Sequence, residues 1–175
     1  MSSPLGKTLL TVATTTAGLT AGVFFDWQVT IMPGLQELPD AEFISVFQAM
    51  DRAIMNPFFI GGAFMGGAAS LVAATVAYRH EPARWPLLAA ASAVYMIGVV
   101  GVTSAGNVPL NEKLAAVSVA TATPAEMSTA RMDFEGPWKG LHLVRTGAAL
   151  GSLVLVTLAM RNRDQKRRRA SKTSP

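Results

Sequence analysis

Charged side chains are absent from four stretches of the chain, residues 8–25, 57–78, 85–105 and 146–160, and the last extends upstream to Trp138 through WKGLHLVR. A bilayer core of about 30 Å takes about 20 residues of helix, and each stretch with its flanks meets or nearly meets that length. The pattern predicts an all-α fold: an integral membrane four-helix bundle, threaded up-down-up-down, with short helices on the outer surface. The spans fall at about 7–31, 57–78, 85–105 and 138–160 within a single domain, 1–160. Residues 161–175 follow as a basic cytoplasmic tail, read as polar and disordered over its last dozen or so residues.

Polar positions refine this outline. In the first span Thr8, Thr15, Leu19, Gly22, Asp26 and Thr30 recur at helical spacing, a small and polar stripe that suits the bundle interior, and Trp27 is placed as an interfacial aromatic. Three breaks are expected where proline and glycine cluster: Met32 to Gly34, Gly106 to Asn111, and Phe134 to Pro137. Between spans 1 and 2, Asp40 is a candidate N-cap. The helix after it sets Phe43, Phe47, Met50 and Ile54 against a polar face with Glu42, Ser45, Asp51 and Arg52. It reads as a connector packed on the bundle, with a substrate lid as the other reading. Asn56-Pro57 opens the second span, and Thr123 to Glu126 has the form of a capping box with proline first in the helix.

Composition supports a membrane protein: half the residues are apolar and 15% are charged. The first window resembles a signal peptide, but its apolar run passes Phe25 and is longer than a typical signal core. A net charge of +4 would suggest nucleic acid in a soluble chain. Here ten of the fifteen basic residues fall in the two termini and the Arg79 to Arg84 loop. That bias places these segments in the cytoplasm, probing anionic lipid and not nucleic acid, with the plasma (inner) membrane as the expected location. There is no cysteine, which removes disulfides and thiolate sites.

Within the fourth span, Trp138, His142, Arg145, Ala149 and Ser152 share one helical stripe, with Arg145 roughly 10 Å below the tryptophan. An ionisable group at that depth needs a partner or a wet cavity. The threading brings Asp26, Asn56, Asn107, Asn111, Trp138, His142 and Arg145 to one end. They amount to one base of near-neutral pKa, one fixed cation, one carboxylate and several amides. No metal-ligand set, nucleophile elbow, P-loop or dinucleotide motif is present. The alternatives are structural: an Asp26–Arg145 ion pair or an outward-snorkelling arginine, a hydrogen-bonded bundle histidine, and asparagines that end helices.

GVFF at 22–25 followed by Pro33-Gly34-Leu35, Asn56-Pro57, NVPLN at 107–111 and HxxRT at 142–146 together resemble the anthrone oxygenase family of small four-helix membrane proteins. The resemblance runs roughly from Gly18 to Ala159, with one departure at Leu141, where many relatives carry asparagine. It implies oxidation of polyketide-derived anthrones, or a related hydrophobic aromatic, by molecular oxygen without flavin, haem or metal. His142 would then be the base, Arg145 the anion stabiliser, and Asp26 would orient the histidine or balance Arg145. Asn56, Asn107, Asn111 and Trp138 would bind substrate. The other functional reading is a non-catalytic membrane protein, an accessory subunit or a lipid or small-molecule binder. A transporter ranks third, because four spans give little room for alternating access unless the chain forms a homodimer, for which Gly62-x3-Gly66 is a candidate surface.

Overall fold

The computed structural model describes residues 3–172, with side chains through Arg161. The described residues are helical throughout, apart from short connections. Four helices are long and apolar enough to cross a membrane: Pro4–Gln36, Phe58–Ala77, Trp85–Ala115 and Pro124–Arg161, here spans 1 to 4. At 1.5 Å per residue, the 33 residues of span 1 reach about 50 Å, well beyond a 30 Å hydrocarbon core, whereas the 20 residues of span 2 just match it. Spans 1, 3 and 4 therefore project past the bilayer core.

The segments are α1 (Pro4–Asp26) and α2 (Met32–Gln36) in span 1, α3 (Asp40–Ile54) between spans, and α4 (Met65–Ala77) in span 2. Span 3 contains α5 (Trp85–Val94) and α6 (Val108–Ala115), and α7 (Pro124–Lys172) contains span 4. Four π-helical segments join these pieces: Trp27–Ile31, Phe58–Phe64, Tyr95–Gly101 and Thr103–Asn107.

The π turns overturn two of the expected breaks. Met32 N–H reaches back to the Trp27 carbonyl and Val108 N–H to that of Thr103, each immediately before a proline, Pro33 or Pro109. A proline ring in a helix collides with the carbonyl four residues back, and the wider turn relieves that collision so that the helix continues. At the third expected break, Pro137 lies inside α7. Its missing hydrogen bond and clash cost about 3 kcal/mol. Burial of Phe134 and Trp138 on either side offsets that. The basic segment expected to be disordered is also helical as far as Lys172. Its arginines, lysines, alanine and glutamine are good helix formers, and a helix already nucleated by span 4 propagates through them. Residues 173–175 and the side chains beyond Arg161 lie outside the described residues.

Span 1 faces the opposite way from expectation. Thr8, Thr15, Leu19, Gly22, Asp26 and Thr30 are exposed, and the buried face carries Ala13, Ala17, Thr20, Ala21 and Phe24. Small residues let backbones approach where lipid offers no hydrophobic contrast, and alanine serves that purpose here. An outward threonine is no loss, since Thr8 Oγ1 donates to its own helix at the Pro4 carbonyl (3.2 Å). Between spans 3 and 4 the approach is closer still: a Cβ on Gly98 would lie 2.5 Å from that of Ala148. The Tyr95 hydroxyl, 3.0 Å from Thr20 Oγ1 and 2.9 Å from the Phe64 carbonyl, ties span 3 to spans 1 and 2. Gly62 is exposed while Gly66 packs toward span 1 at Thr16.

α3 folds back over one end of the bundle. Phe43, Ile44 and Phe47 are fully buried against a cluster with Leu114, Phe134 and Trp138, each contributing about 1.5–3 kcal/mol. Asp40 is the first residue of α3 and makes no capping bond. Its carboxylate instead accepts from Arg131 Nη1 (3.0 Å), which also donates to the Leu38 carbonyl (2.7 Å). Arg131 Nε pairs with Glu135 (3.0 Å), and the guanidinium lies over the Phe43 ring (4.4 Å). Gln48 Nε2 donates to the Leu114 and Val117 carbonyls (both 2.9 Å), satisfying the C-terminal end of α6. Thr123 and Glu126 form the expected capping box, with Thr123 N–H to Glu126 at 2.7 Å and Glu126 N–H to Thr123 Oγ1 at 3.3 Å.

Candidate functional site

The end of span 1, the start of span 2, the end of span 3 and the start of span 4 meet beneath α3 around a cavity of about 230 Å³. An apolar cavity of about 150 Å³ holds one benzene ring, so this one has room for more than a single ring. Its walls are mainly aromatic and aliphatic, including Phe24, Trp27, Phe47, Phe59, Phe64 and Trp138. Residues from three of the π segments line it, among them Trp27, Phe64 and Thr103, so the irregular turns that absorb the prolines also shape the walls. Met55, Met65 and Val108 both line the cavity and are exposed, at 64%, 46% and 37%, and so mark its mouth. The rim is apolar and is formed by residues around the start of span 2 and in the second half of span 3.

The charged end of the pocket belongs to Arg145, 9% exposed. Its Nε–H donates to His142 Nδ1 (2.9 Å) and Nη1 to Thr103 Oγ1 (3.3 Å). The guanidinium carbon stands 4.5 Å from the centre of the Phe24 ring and 5.3 Å from that of Trp138, so two aromatic faces support the cation. Arginine has no acceptor, hence His142 Nδ1 must accept and the ring proton must sit on Nε2. From there it donates to the Phe24 carbonyl (2.9 Å), which lies in the turn just before the π segment of span 1. Trp138 stacks on the imidazole, centres 4.6 Å apart and planes 11° from parallel. Both nitrogens of His142 are thus engaged, and the ring does not line the cavity. It sets the orientation of Arg145.

A second chain of bonds begins at the same tryptophan. Trp138 Nε1–H donates to Asn111 Oδ1 (2.8 Å), which forces the amide nitrogen the other way, to donate to Asp51 Oδ1 (2.6 Å). Asp51 lines the cavity together with Phe47 and Ile54 of α3. Burial pushes its carboxyl above the usual range, opposed by the Asn111 hydrogen bond and by the charges of Arg145 and Arg52. Arg145 and Asp51 make no direct ion pair.

The family profile for anthrone oxygenase matches residues 52–155, more than half of the chain. The chain belongs to the anthrone oxygenase family. No curated protein and no solved structure matches it.

In this anthrone oxygenase family member Arg145, Trp138 and Asn111 line the pocket, and His142 stands behind Arg145. Asn107 is wholly buried next to it, with Nδ2 donating to the Trp138 carbonyl (3.2 Å) and Oδ1 without a partner among the described residues. Asn56 is away from the cavity lining and caps span 2, accepting from Phe59 N–H (2.9 Å). Asp26 is exposed, two residues beyond the inward-facing Phe24, and neither lines the pocket nor pairs with Arg145. Trp27, expected at the interface, is a pocket wall. Leu141, the departure from relatives, packs toward Gly106 of span 3 and not into the cavity. Asp51 and Thr103 were not anticipated. For Asp51 a signal existed: Phe47, Asp51 and Ile54 stand at i, i+4 and i+7, one stripe of α3.

Proposed function

We propose that this protein is a membrane-embedded oxygenase that works without a cofactor and oxidises the methylene of an anthrone, or a comparably flat phenolic aromatic, to a carbonyl. The observation that carries the reading is the buried guanidinium of Arg145 at the end of an aromatic-walled pocket, together with membership of the anthrone oxygenase family. Such a substrate loses a methylene proton to give an anion whose charge spreads onto its ring oxygen. A fixed, poorly hydrated cation in a low-dielectric site favours that anion over the neutral ketone. The anion is electron-rich enough to reduce oxygen directly. A peroxide forms at the former methylene carbon and collapses to the carbonyl, with one oxygen atom retained and the other leaving as water.

The apolar mouth suits both reactants, because an anthrone and oxygen each partition into the bilayer. The basic bias of the termini and the Arg79 to Arg84 loop supports a cytoplasmic location for those segments in an inner membrane, with the pocket toward the opposite leaflet. A non-catalytic binder is favoured by one observation, the complete hydrogen bonding of His142. Oxygen uptake decides between the two. Purified protein in nanodiscs should consume one oxygen molecule per anthrone oxidised, with and without chelator, and Arg145→Met should fall to the uncatalysed rate. Binding of anthrone with no uptake above background would leave only the binder.

A further inference from the structure

We propose that Asp51 is the general base of this pocket, taking the methylene proton of the substrate that Arg145 holds. The assignment rests on the oxygenase reading above and adds a residue to it. Among the described residues Asp51 is the sole carboxylate lining the cavity. It is also built in: Oδ1 is fixed by Asn111 Nδ2 at 2.6 Å, and the amide is oriented by the buried Trp138 through a bond of 2.8 Å. Oδ2 accepts no hydrogen bond from the described residues and remains available for a proton. The anchor reaches α3 from α6 and α7, so the carboxylate is positioned by three elements.

The placement relative to Arg145 is what a proton transfer requires. A direct ion pair would consume both groups, whereas here the cation and the carboxylate line one cavity without touching. A flat ketone between them directs its oxygen at the guanidinium and its methylene at Asp51. His142 cannot take this part as it stands, because Nδ1 accepts from Arg145 and Nε2 carries the proton donated to Phe24. The charged groups facing Asp51 are Arg145 from span 4 and Arg52 from its own helix. Burial, which raises the carboxyl against their influence, makes it a better base.

The steps balance. Asp51 takes one methylene proton and the electron pair of that C–H bond delocalises to the ring oxygen. Oxygen accepts electrons from the anion and a C–O bond forms, giving a peroxide anion that the Asp51 carboxylic acid protonates. The regenerated carboxylate removes the second hydrogen as a proton, the O–O bond breaks, and the C–H pair becomes the carbonyl. The departing hydroxide leaves as water with that proton.

The test is hydrogen exchange in the absence of oxygen. Wild-type protein in nanodiscs is incubated anaerobically with 1,8-dihydroxyanthrone in deuterated buffer, and deuterium at the methylene is followed by mass spectrometry. Wild type should accelerate exchange, and Asp51→Asn should lower both exchange and aerobic turnover by about 100-fold or more. Quenching of the pocket tryptophans by an anthraquinone should be unchanged. The gap in exchange should close at a pH high enough to ionise the free anthrone, since the variant then receives the anion ready-made. Asp26→Asn should match wild type throughout. Wild-type exchange in Asp51→Asn overturns the proposal, as does an exchange deficit that persists with ionised substrate. Should the asparagine variant not accumulate folded, Asp51→Glu must exchange with a shifted pH midpoint, and an unshifted midpoint also overturns it. A wild-type protein that binds anthrone yet neither exchanges nor consumes oxygen refutes the oxygenase reading itself, a result separable from an active wild type with an equally active Asp51→Asn.

Discussion

Replacing Arg145 by lysine keeps a positive charge in the pocket and removes the planar fork. In the wild type, Nε–H is committed to His142 (2.9 Å) and one Nη1–H to Thr103 (3.3 Å), leaving the other guanidinium hydrogens for a ligand. The two bonds hold the plane between the Phe24 and Trp138 rings at 4.5 and 5.3 Å, so the free hydrogens are pre-aimed. An ammonium that satisfies His142 cannot also offer two parallel donors. Losing one hydrogen bond to a charged group costs about 1.5–3 kcal/mol, or about 10- to 150-fold in rate. The loss should fall on kcat, because the oxyanion develops only as the proton leaves, and KM for the neutral anthrone should change little. Oxygen-electrode kinetics in nanodiscs over a range of anthrone concentrations separate the two parameters. A lysine variant with wild-type kcat, or one whose deficit lies only in KM, would refute the argument that the fork stabilises an anion.

Three further outcomes follow from other parts of the molecule. Gly98→Ala places a methyl 2.5 Å from the Ala148 Cβ, which has no rotamer to yield, so spans 3 and 4 must separate at a cost of about 1–3 kcal/mol. Gly147→Ala meets nothing within 4 Å and should keep or raise the melting temperature, and equal melting of the two variants would contradict the close approach. Asp51, with its carboxyl raised, binds its proton more tightly folded than unfolded. Its stabilising contribution is therefore complete below the ordinary carboxylate value and is lost as pH rises through the raised one. Asp51→Asn should accordingly melt higher than wild type at neutral pH, the difference shrinking toward acid; a lower melting temperature at neutral pH would contradict this. Finally, single cysteines at Ser45, Ala83 and Ser128 should label with only Ala83 on the cytoplasmic side, and external labelling of Ala83 would reverse the orientation.

The helices were legible because membrane length and uncharged runs leave little choice, and the HxxRT spacing alone puts His142 and Arg145 side by side. What the sequence concealed is of two physical kinds. First, proline and glycine clusters read as ends become π turns when the surrounding span is long and well packed, as at Pro33 and Pro109, and this keeps Asn107 and Asn111 inside a continuous helix. Second, polarity misjudges which face of a membrane helix is inside. The alanines of span 1 pack together with Thr20, whereas Thr8, Thr15 and Thr30 face out, and Asp26 lies on that outward face away from the pocket. The vacancy for a carboxylate is filled from α3, an element whose amphipathic pattern was read as one apolar face against one polar face. Asp51 lies at the border of the two, where a cavity beneath the helix needs a polar group.

The central claim is that Arg145 stabilises the anion formed from the substrate once it is in the pocket. Anaerobic titration of the protein with 1,8-dihydroxyanthrone at neutral pH, read by absorption, tests it most directly, because the conjugated anion absorbs at longer wavelength than the neutral ketone. The account predicts that the long-wavelength band grows in with bound anthrone on the wild type, at a pH where the free compound is neutral, and is absent from Arg145→Met. Bound anthrone with only the neutral spectrum, or an undiminished anion band in the methionine variant, would contradict it.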